Sequence, residues 1–123
     1  METPTTTQEV ADRFYTLAQQ GAYDQIQEEL YDAQVLSLEP DHAPGPSRVE
    51  GMEGIRQKAQ QWQESIEQTY GGYCEAPIVA GKTFACAMGM DVEMKGQGRV
   101  KMDELAVYQV NDQGKIILEQ FFY

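Results

Sequence analysis

Basic side chains are scarce in this sequence: nine Lys and Arg stand against twenty Asp and Glu over 123 residues, a formal net charge of -11. A surface so short of cations cannot displace the counterions around phosphate, which argues against nucleic acid and anionic membranes as partners. Histidine occurs once, excluding a histidine-rich zinc or iron centre. The two cysteines, Cys74 and Cys86, lack the close spacing of a zinc or redox motif and lie in apolar stretches, so they read as reduced and buried. No apolar run approaches the roughly 18 residues of a membrane-spanning helix. Met1 to Thr7 is polar, with no basic flank and no apolar run, so no secretory signal is expected and the chain reads as cytoplasmic. What is present is ordinary: 41% hydrophobic and 24% charged residues suit one globular domain spanning 1–123 around one core.

Periodicity divides the chain into a helical first part and a strand-rich last part. Thr6 and Glu9 have the spacing of a capping box, and Val10, Phe14, Leu17 and Ala18 form one stripe of a helix that Gly21 ends. A short second helix carries Tyr23, Ile26 and Leu30 on one side. Ala33 to Leu38 reads as a short strand, and Pro40 to Gly51, with three prolines, as a loop. Ile55, Ala59, Trp62, Ile66 and Tyr70 predict a long third helix stopping at Gly71-Gly72, with Trp62 in its core stripe. Tyr73 to Ala80, Phe84 to Lys95, Arg99 to Val110 and Ile116 to Tyr123 predict strands, and the short turns between them predict antiparallel neighbours. On the second of these, Phe84, Cys86, Met88, Met90, Val92 and Met94 share an apolar face. Ala85, Ala87, Gly89, Asp91 and Glu93 share the other, a flat surface for a second copy or for water.

Three local motifs carry little. Gly81-Lys82-Thr83 ends like a phosphate-binding loop, but Ala76 stands where its first glycine belongs, and a hairpin turn explains the residues. Asp91 and Glu93 are too few oxygen ligands for calcium and read as solvated charges. His42, beside Asp41 in the proline-rich loop, could act as a general base if the loop covers a pocket, or simply face water.

The order of elements and three stretches, Arg13-Phe14 through Gly21 to Ile26, Val49 to Arg56, and Tyr108 to Ile116, resemble the nuclear transport factor 2-like superfamily, in its SnoaL-like and ketosteroid isomerase-like branch. The resemblance implies an α+β, cystatin-like roll: three N-terminal helices closing a curved antiparallel sheet into a cone. It implies a small hydrophobic ligand inside, a homodimer through the outer sheet face, and no metal, nucleotide or other cofactor. By position, the isomerase tyrosine falls on Phe14, with Tyr15 adjacent, its acid on Ala106, and its base near Ser37 to Glu39. Those departures argue against ketosteroid isomerisation.

The candidate that the alignment offers instead is Glu104, on one strand face with Met102, Ala106 and Tyr108. Ile117, Glu119, Phe121 and Tyr123 share a face of the last strand. If Val110 stands opposite Lys115, Glu119 lies opposite Ala106 and diagonal to Glu104, where two carboxyls cannot both ionise cheaply. The alternative is that one carboxylate faces water or pairs with Arg13, Arg99 or Lys101, and a one-residue slip would turn Glu119 outward. The expected site therefore has Glu104 as proton shuttle, Glu119, Tyr15 and Tyr31 as hydrogen-bond donors and His42 at the loop. Its lining is Phe14, Tyr31, Trp62, Met88, Met90, Met102 and Phe121. Two functions fit: proton-transfer chemistry such as isomerisation, cyclisation or dehydration, or a non-catalytic ligand-binding or dimerising accessory domain of the same fold.

Overall fold

Helix α1, Thr7–Gln19, opens on the capping box spelled out in its sequence. In the computed structural model, which describes residues 5–43 and 45–123, the Glu9 amide donates to Thr6 Oγ1 at 3.1 Å and the Thr6 amide donates to Glu9 Oε1 at 3.1 Å. Met1–Pro4 of the polar terminus and Pro44 of the proline-rich loop lie outside the described residues. Gly21, at φ 69°, closes the helix: its amide and that of Ala22 donate back to the Ala18 and Leu17 carbonyls. The following helix α2, Tyr23–Leu30, runs directly into strand β1, Tyr31–Leu38.

The loop read between Pro40 and Gly51 contains a strand, β2 (Arg48–Glu50), which pairs antiparallel with β1 before helix α3, Gly51–Ser65. The third helix is shorter than its stripe predicts: Ile66 and Tyr70 belong to strand β3, Ile66–Cys74. A separation of four keeps two residues on one face of a helix and of a strand alike, so the spacing could not tell the two apart. What changes at Ser65 is composition, from Gln, Lys, Ala and Glu to the β-prone Ile66, Thr69, Tyr70 and Tyr73. Nor does Tyr73 to Ala80 form one strand. It breaks at Glu75-Ala76-Pro77 and resumes as β4, Ile78–Ala80.

The hairpin over Gly81 leads into β5 (Thr83–Met94), β6 (Gly98–Val110) and β7 (Ile116–Phe122). The sheet order is β2-β1-β7-β6-β5-β3, with β4 also on β5. One pairing departs from the antiparallel sheet expected: β1 lies parallel to β7, so the curved sheet is mixed and the fold is α+β. The helices and the concave face enclose the core, where the Phe14 ring lies 5.4 Å from that of Phe84 and 4.7 Å from that of Tyr108, centroid to centroid. Trp62, read as core, is only half-buried, and Ile55 is the residue that α3 buries.

The β6–β7 register also differs from the one expected. The Asn111 amide bonds to the Lys115 carbonyl across the turn, setting Val110 opposite Ile116, and a bulge at Ile117 then sets Gln109 opposite Leu118. The two one-residue shifts add, so parity is kept: Glu119 faces inward, but opposite Tyr108 instead of Ala106.

Candidate functional site

The concave face is laid out in rows. One row runs Phe84, Tyr108, Glu119 and Ser37 across β5, β6, β7 and β1. Two residues along lie Cys86, Ala106 and Phe121, and two further lie Cys74, Met88 and Glu104. Glu104 and Glu119 thus share the face yet stand four residues apart along the ladder, and the diagonal pair expected from the sequence does not form. The position laddered against Glu104 is that of Tyr123, the next residue after the Leu105–Phe122 pair.

Glu119 is 5% exposed and makes no direct ion pair among the described residues; two hydroxyls serve its carboxylate instead. The Tyr31 hydroxyl donates to Oε1, and Ser37 Oγ donates to Oε2 at 2.6 Å. From α3, Lys58 Nζ donates to Ser37 Oγ at 2.9 Å and to Glu39 Oε1 at 2.7 Å, while the Tyr123 hydroxyl donates to Glu39 Oε2 at 2.9 Å. The same ammonium stands 5.0 Å from the centroid of the Phe121 ring, and His42 packs edge-on against Tyr123. One chain of polar contacts therefore joins β1, α3, β7 and the carboxy terminus. Burial and the adjacent Glu119 raise the Tyr31 phenol well above its ordinary value, so it stays protonated and donates.

Glu104 lies outside that chain. Among the described residues no hydrogen bond reaches its carboxyl, whose pKa is pushed up to about 7 by burial first and then by the charge of Glu39, with Lys58 pulling the other way and Glu119 adding a smaller push. A carboxyl that titrates near neutrality and keeps its oxygens free can give or take a proton. Tyr23, at the start of α2, completes the surroundings. Although the residue is 42% exposed, burial of its phenol and the proximity of Cys74, Cys86 and Glu104 raise its pKa to about 12.

The site residues expected from the sequence divide in three. Tyr31 and Glu119 meet directly, and Glu104 shares their face. Tyr15 is half-buried on α1 and joins no hydrogen bond among the described residues, while exposed His42 reaches the cluster only through Tyr123. Of the expected lining, Phe14, Tyr31 and Met88 are core, Phe14 only 1% exposed, whereas Trp62, Met90, Met102 and Phe121 are half-buried and keep accessible surface. The bases considered as partners for one of the two carboxylates are engaged elsewhere in two cases: Arg13 pairs with Glu29 and Arg99 with Asp91, each at 2.8 Å. Sequence reasoning missed Ser37, Lys58, Tyr23 and Tyr123 as site residues. A signal existed for two of them: Lys58 is a cation three residues from Ile55 and four from Trp62, inside an apolar stripe, and Tyr23 shares the stripe of Ile26 and Leu30.

On the outer face, a hollow of about 430 Å³ is lined by Ala76, Ile78, Ala80, Ala85, Ala87 and Leu105, with Ile78 78% and Leu105 44% exposed. Among the described residues no three His, Cys, Asp or Glu side chains are placed to hold a metal ion, and no helix is long and apolar enough to cross a membrane.

The profile of a family described as SnoaL-like domain matches residues 5–123. A Mesorhizobium loti protein, whose crystal structure is provisionally described as that of a SnoaL-like polyketide cyclase, is 38% identical over 96% of this chain and 99% of its own, with a TM-score of 0.88. A Xanthomonas campestris protein of unknown function with a cystatin-like fold superposes with a TM-score of 0.78 at 17% identity, over 95% of this chain and 89% of its own. TerC, co-crystallised with polyporic acid, gives 0.73 at 13% identity, over 95% and 90%. The last two likenesses concern the fold alone. No curated protein matches the chain.

Proposed function

The chain belongs to the SnoaL-like domain family, and from that membership we propose that it binds a small, mainly apolar molecule at the half-buried end of the cone and moves a proton on it through Glu104. The observation that carries this reading is the Glu104 carboxyl, which no hydrogen bond reaches among the described residues and which is pushed up to about 7, beside the polar chain of Lys58, Ser37, Glu39 and Glu119. Half-buried Trp62, Met90, Met102 and Phe121 supply apolar surface for the guest. The Lys58 ammonium, with two of its three protons on Ser37 and Glu39, leaves the third for an oxygen that gains charge as the proton leaves carbon. The reaction class is isomerisation, cyclisation or dehydration through an enolate-like intermediate. That TerC was crystallised with polyporic acid supports a flat, oxygenated aromatic as the first ligand to try.

The test starts with a thermal-shift screen of quinones and enolisable aromatic ketones. For any compound that binds and turns over, Glu104→Gln is expected to lower kcat by about 10²–10⁴-fold with little change in binding. Unchanged turnover would remove Glu104 from the chemistry. A second reading, a binding domain without chemistry, is favoured by the filled interior, where Phe14, Phe84 and Tyr108 occupy the depth of the cone. It predicts ligands that bind and are released unaltered by both wild type and Glu104→Gln.

The reading extends to assembly and compartment. The apolar outer hollow around Ala85, Ala87 and Leu105 supports a homodimer through the outer sheet face. The two free thiols, Cys74 and Cys86, suit a reducing compartment such as the cytoplasm.

A further inference from the structure

The proton-transfer reading makes no use of the two cysteines, yet the fold brings them together. Cys74 is the last residue of β3 and stands opposite Met88 of β5, so Cys86, two residues away on β5, is its diagonal neighbour on the same concave face. Both thiols are free and buried, Cys74 8% and Cys86 2% exposed. We propose that Cys74 and Cys86 form a reversible disulfide site that links β3 to β5 on the concave face.

Three features of the local structure support the proposal. Diagonal neighbours on one sheet face stand about 7–8 Å apart at their Cα atoms, just beyond the roughly 4.4–6.8 Å that a disulfide spans. Closing that gap takes a movement at the end of β3 that works against two hydrogen bonds, from the Glu75 amide to the Ala87 carbonyl at 2.8 Å and from Gln19 Nε2 to the Cys74 carbonyl at 2.8 Å, before the irregular Glu75-Ala76-Pro77 gives the chain slack. A bond closed against a sheet register is strained, and strained disulfides are the readily reduced ones, which makes the link reversible.

The two sulfurs also differ in role. The Cys86 thiol holds its proton, raised by the neighbouring Cys74 and by burial. Cys74, 8% exposed at the end of β3, is the sulfur a reagent reaches first and therefore the attacking one, and Cys86, 2% exposed, is the resolving one. The Cys74 thiol donates to the Glu75 carbonyl at 3.7 Å, a long contact that ionisation would release.

The oxidant is a small organic disulfide. Cys74 thiolate attacks one of its sulfurs, forming a mixed disulfide and expelling one thiolate. Cys86, giving up its proton, then attacks the Cys74 sulfur and expels the second thiolate. The protein loses two protons and two electrons, and the reagent becomes two thiols. In the intracellular setting such bonds are transient and report redox state.

The full-length folded protein is treated with excess 2-hydroxyethyl disulfide, free thiols are blocked with iodoacetamide, and the chain is cut with trypsin. Cleavage after Lys58, Lys82 and Lys95 leaves Cys74 on peptide 59–82 and Cys86 on peptide 83–95. The expected result is that these two peptides run as one linked species, lighter than their sum by two hydrogens, which dithiothreitol separates. In Cys86→Ser the hydroxyethyl adduct should persist on Cys74. If both peptides from the folded wild type carry the alkyl block, or if linkage appears only in urea or only between two chains, the proposal is wrong. The wild-type measurement decides the matter even where the variant does not fold.

Discussion

At the scale of single residues, Glu104 is where stability and chemistry pull apart. Its ordinary pKa of 4.5 applies to the unfolded chain, while in the folded protein it is raised to about 7. Between those values the native state holds a proton that the unfolded state has released, so stability is full below 4.5 and falls as pH rises toward 7. Glu104→Gln removes that slope. The variant should be more stable than wild type above pH 7, by about 1–3 kcal/mol, and the advantage should vanish in acid. Urea unfolding of both proteins across this range measures the difference, and two parallel curves would mean that Glu104 is an ordinary solvated carboxyl. A side chain that costs stability where it stands, and whose oxygens no neighbour uses, is explained better by a ligand than by packing. Glu119 shows the contrast: it is deeper, but Tyr31 and Ser37 serve both its oxygens, so it belongs to the frame. Which acid would be free and which engaged could not be read in the chain, because Ser37 and Tyr31 lie more than 80 residues away and meet Glu119 only through the parallel β1–β7 pairing.

At the scale of elements, what was legible is what local spacing determines. The capping box of α1, the glycine that ends it, and the alternation of Phe84, Cys86, Met88 and Val92 along β5 all depend on neighbours within a few residues, and all appear in the structure. The end of α3, the strand at Arg48–Glu50 and the bulge at Ile117 depend on partners far along the chain, and on these the reading from sequence differs from the structure. The turn and the bulge together show why a site is harder to read than a fold: two one-residue shifts left Glu119 inside while changing its neighbour from Ala106 to Tyr108. Helix α3 matters to the site because it hangs Lys58 over β1 and Phe121. Lys58→Met should raise the Glu104 midpoint above 7, since the ammonium is the neighbour that lowers it. The same change should cost about 1–3 kcal/mol at neutral pH by stripping the cation from half-buried Glu39. Carboxyl NMR against pH reads the first effect, and a midpoint that held or fell would separate Lys58 from the site. Gly89 tests the other side of the sheet. A Cβ there would collide with the Met102 carbonyl oxygen and lie 2.5 Å from Tyr73 Cε1, where the tyrosine crosses β5 to donate to Asp103 Oδ1. Gly89→Ala should therefore lose about 1–3 kcal/mol in urea unfolding. An unshifted midpoint would mean that Tyr73 moves aside freely.

At the scale of the molecule, net charge and apolar surface oppose each other. Each copy carries -11, which disfavours bringing two together, yet the outer face presents a continuous apolar row: Ala87, Leu105 and Phe122 stand opposite one another on β5, β6 and β7, with Ile78 beside them on β4. Solvated monomers seldom leave such a row uncovered beside a hollow of about 430 Å³. A second copy of the chain is the occupant we infer, because a two-fold interface lays the same row against itself. Two consequences follow from the opposing forces. Raising salt should tighten the dimer, since screening weakens the repulsion between copies and leaves apolar burial in place. Placing a cation in the middle of the row, as in Leu105→Arg, should dissociate it, because the two-fold axis would bury the new charge against apolar side chains and bring it toward its own copy. Sedimentation equilibrium at micromolar concentration, at low and high salt, reads both. A wild type that stays monomeric at every salt concentration, or a Leu105→Arg chain with the mass of a dimer, would move the interface off this face, while the concave site and its Glu104 chemistry would stand or fall on their own tests.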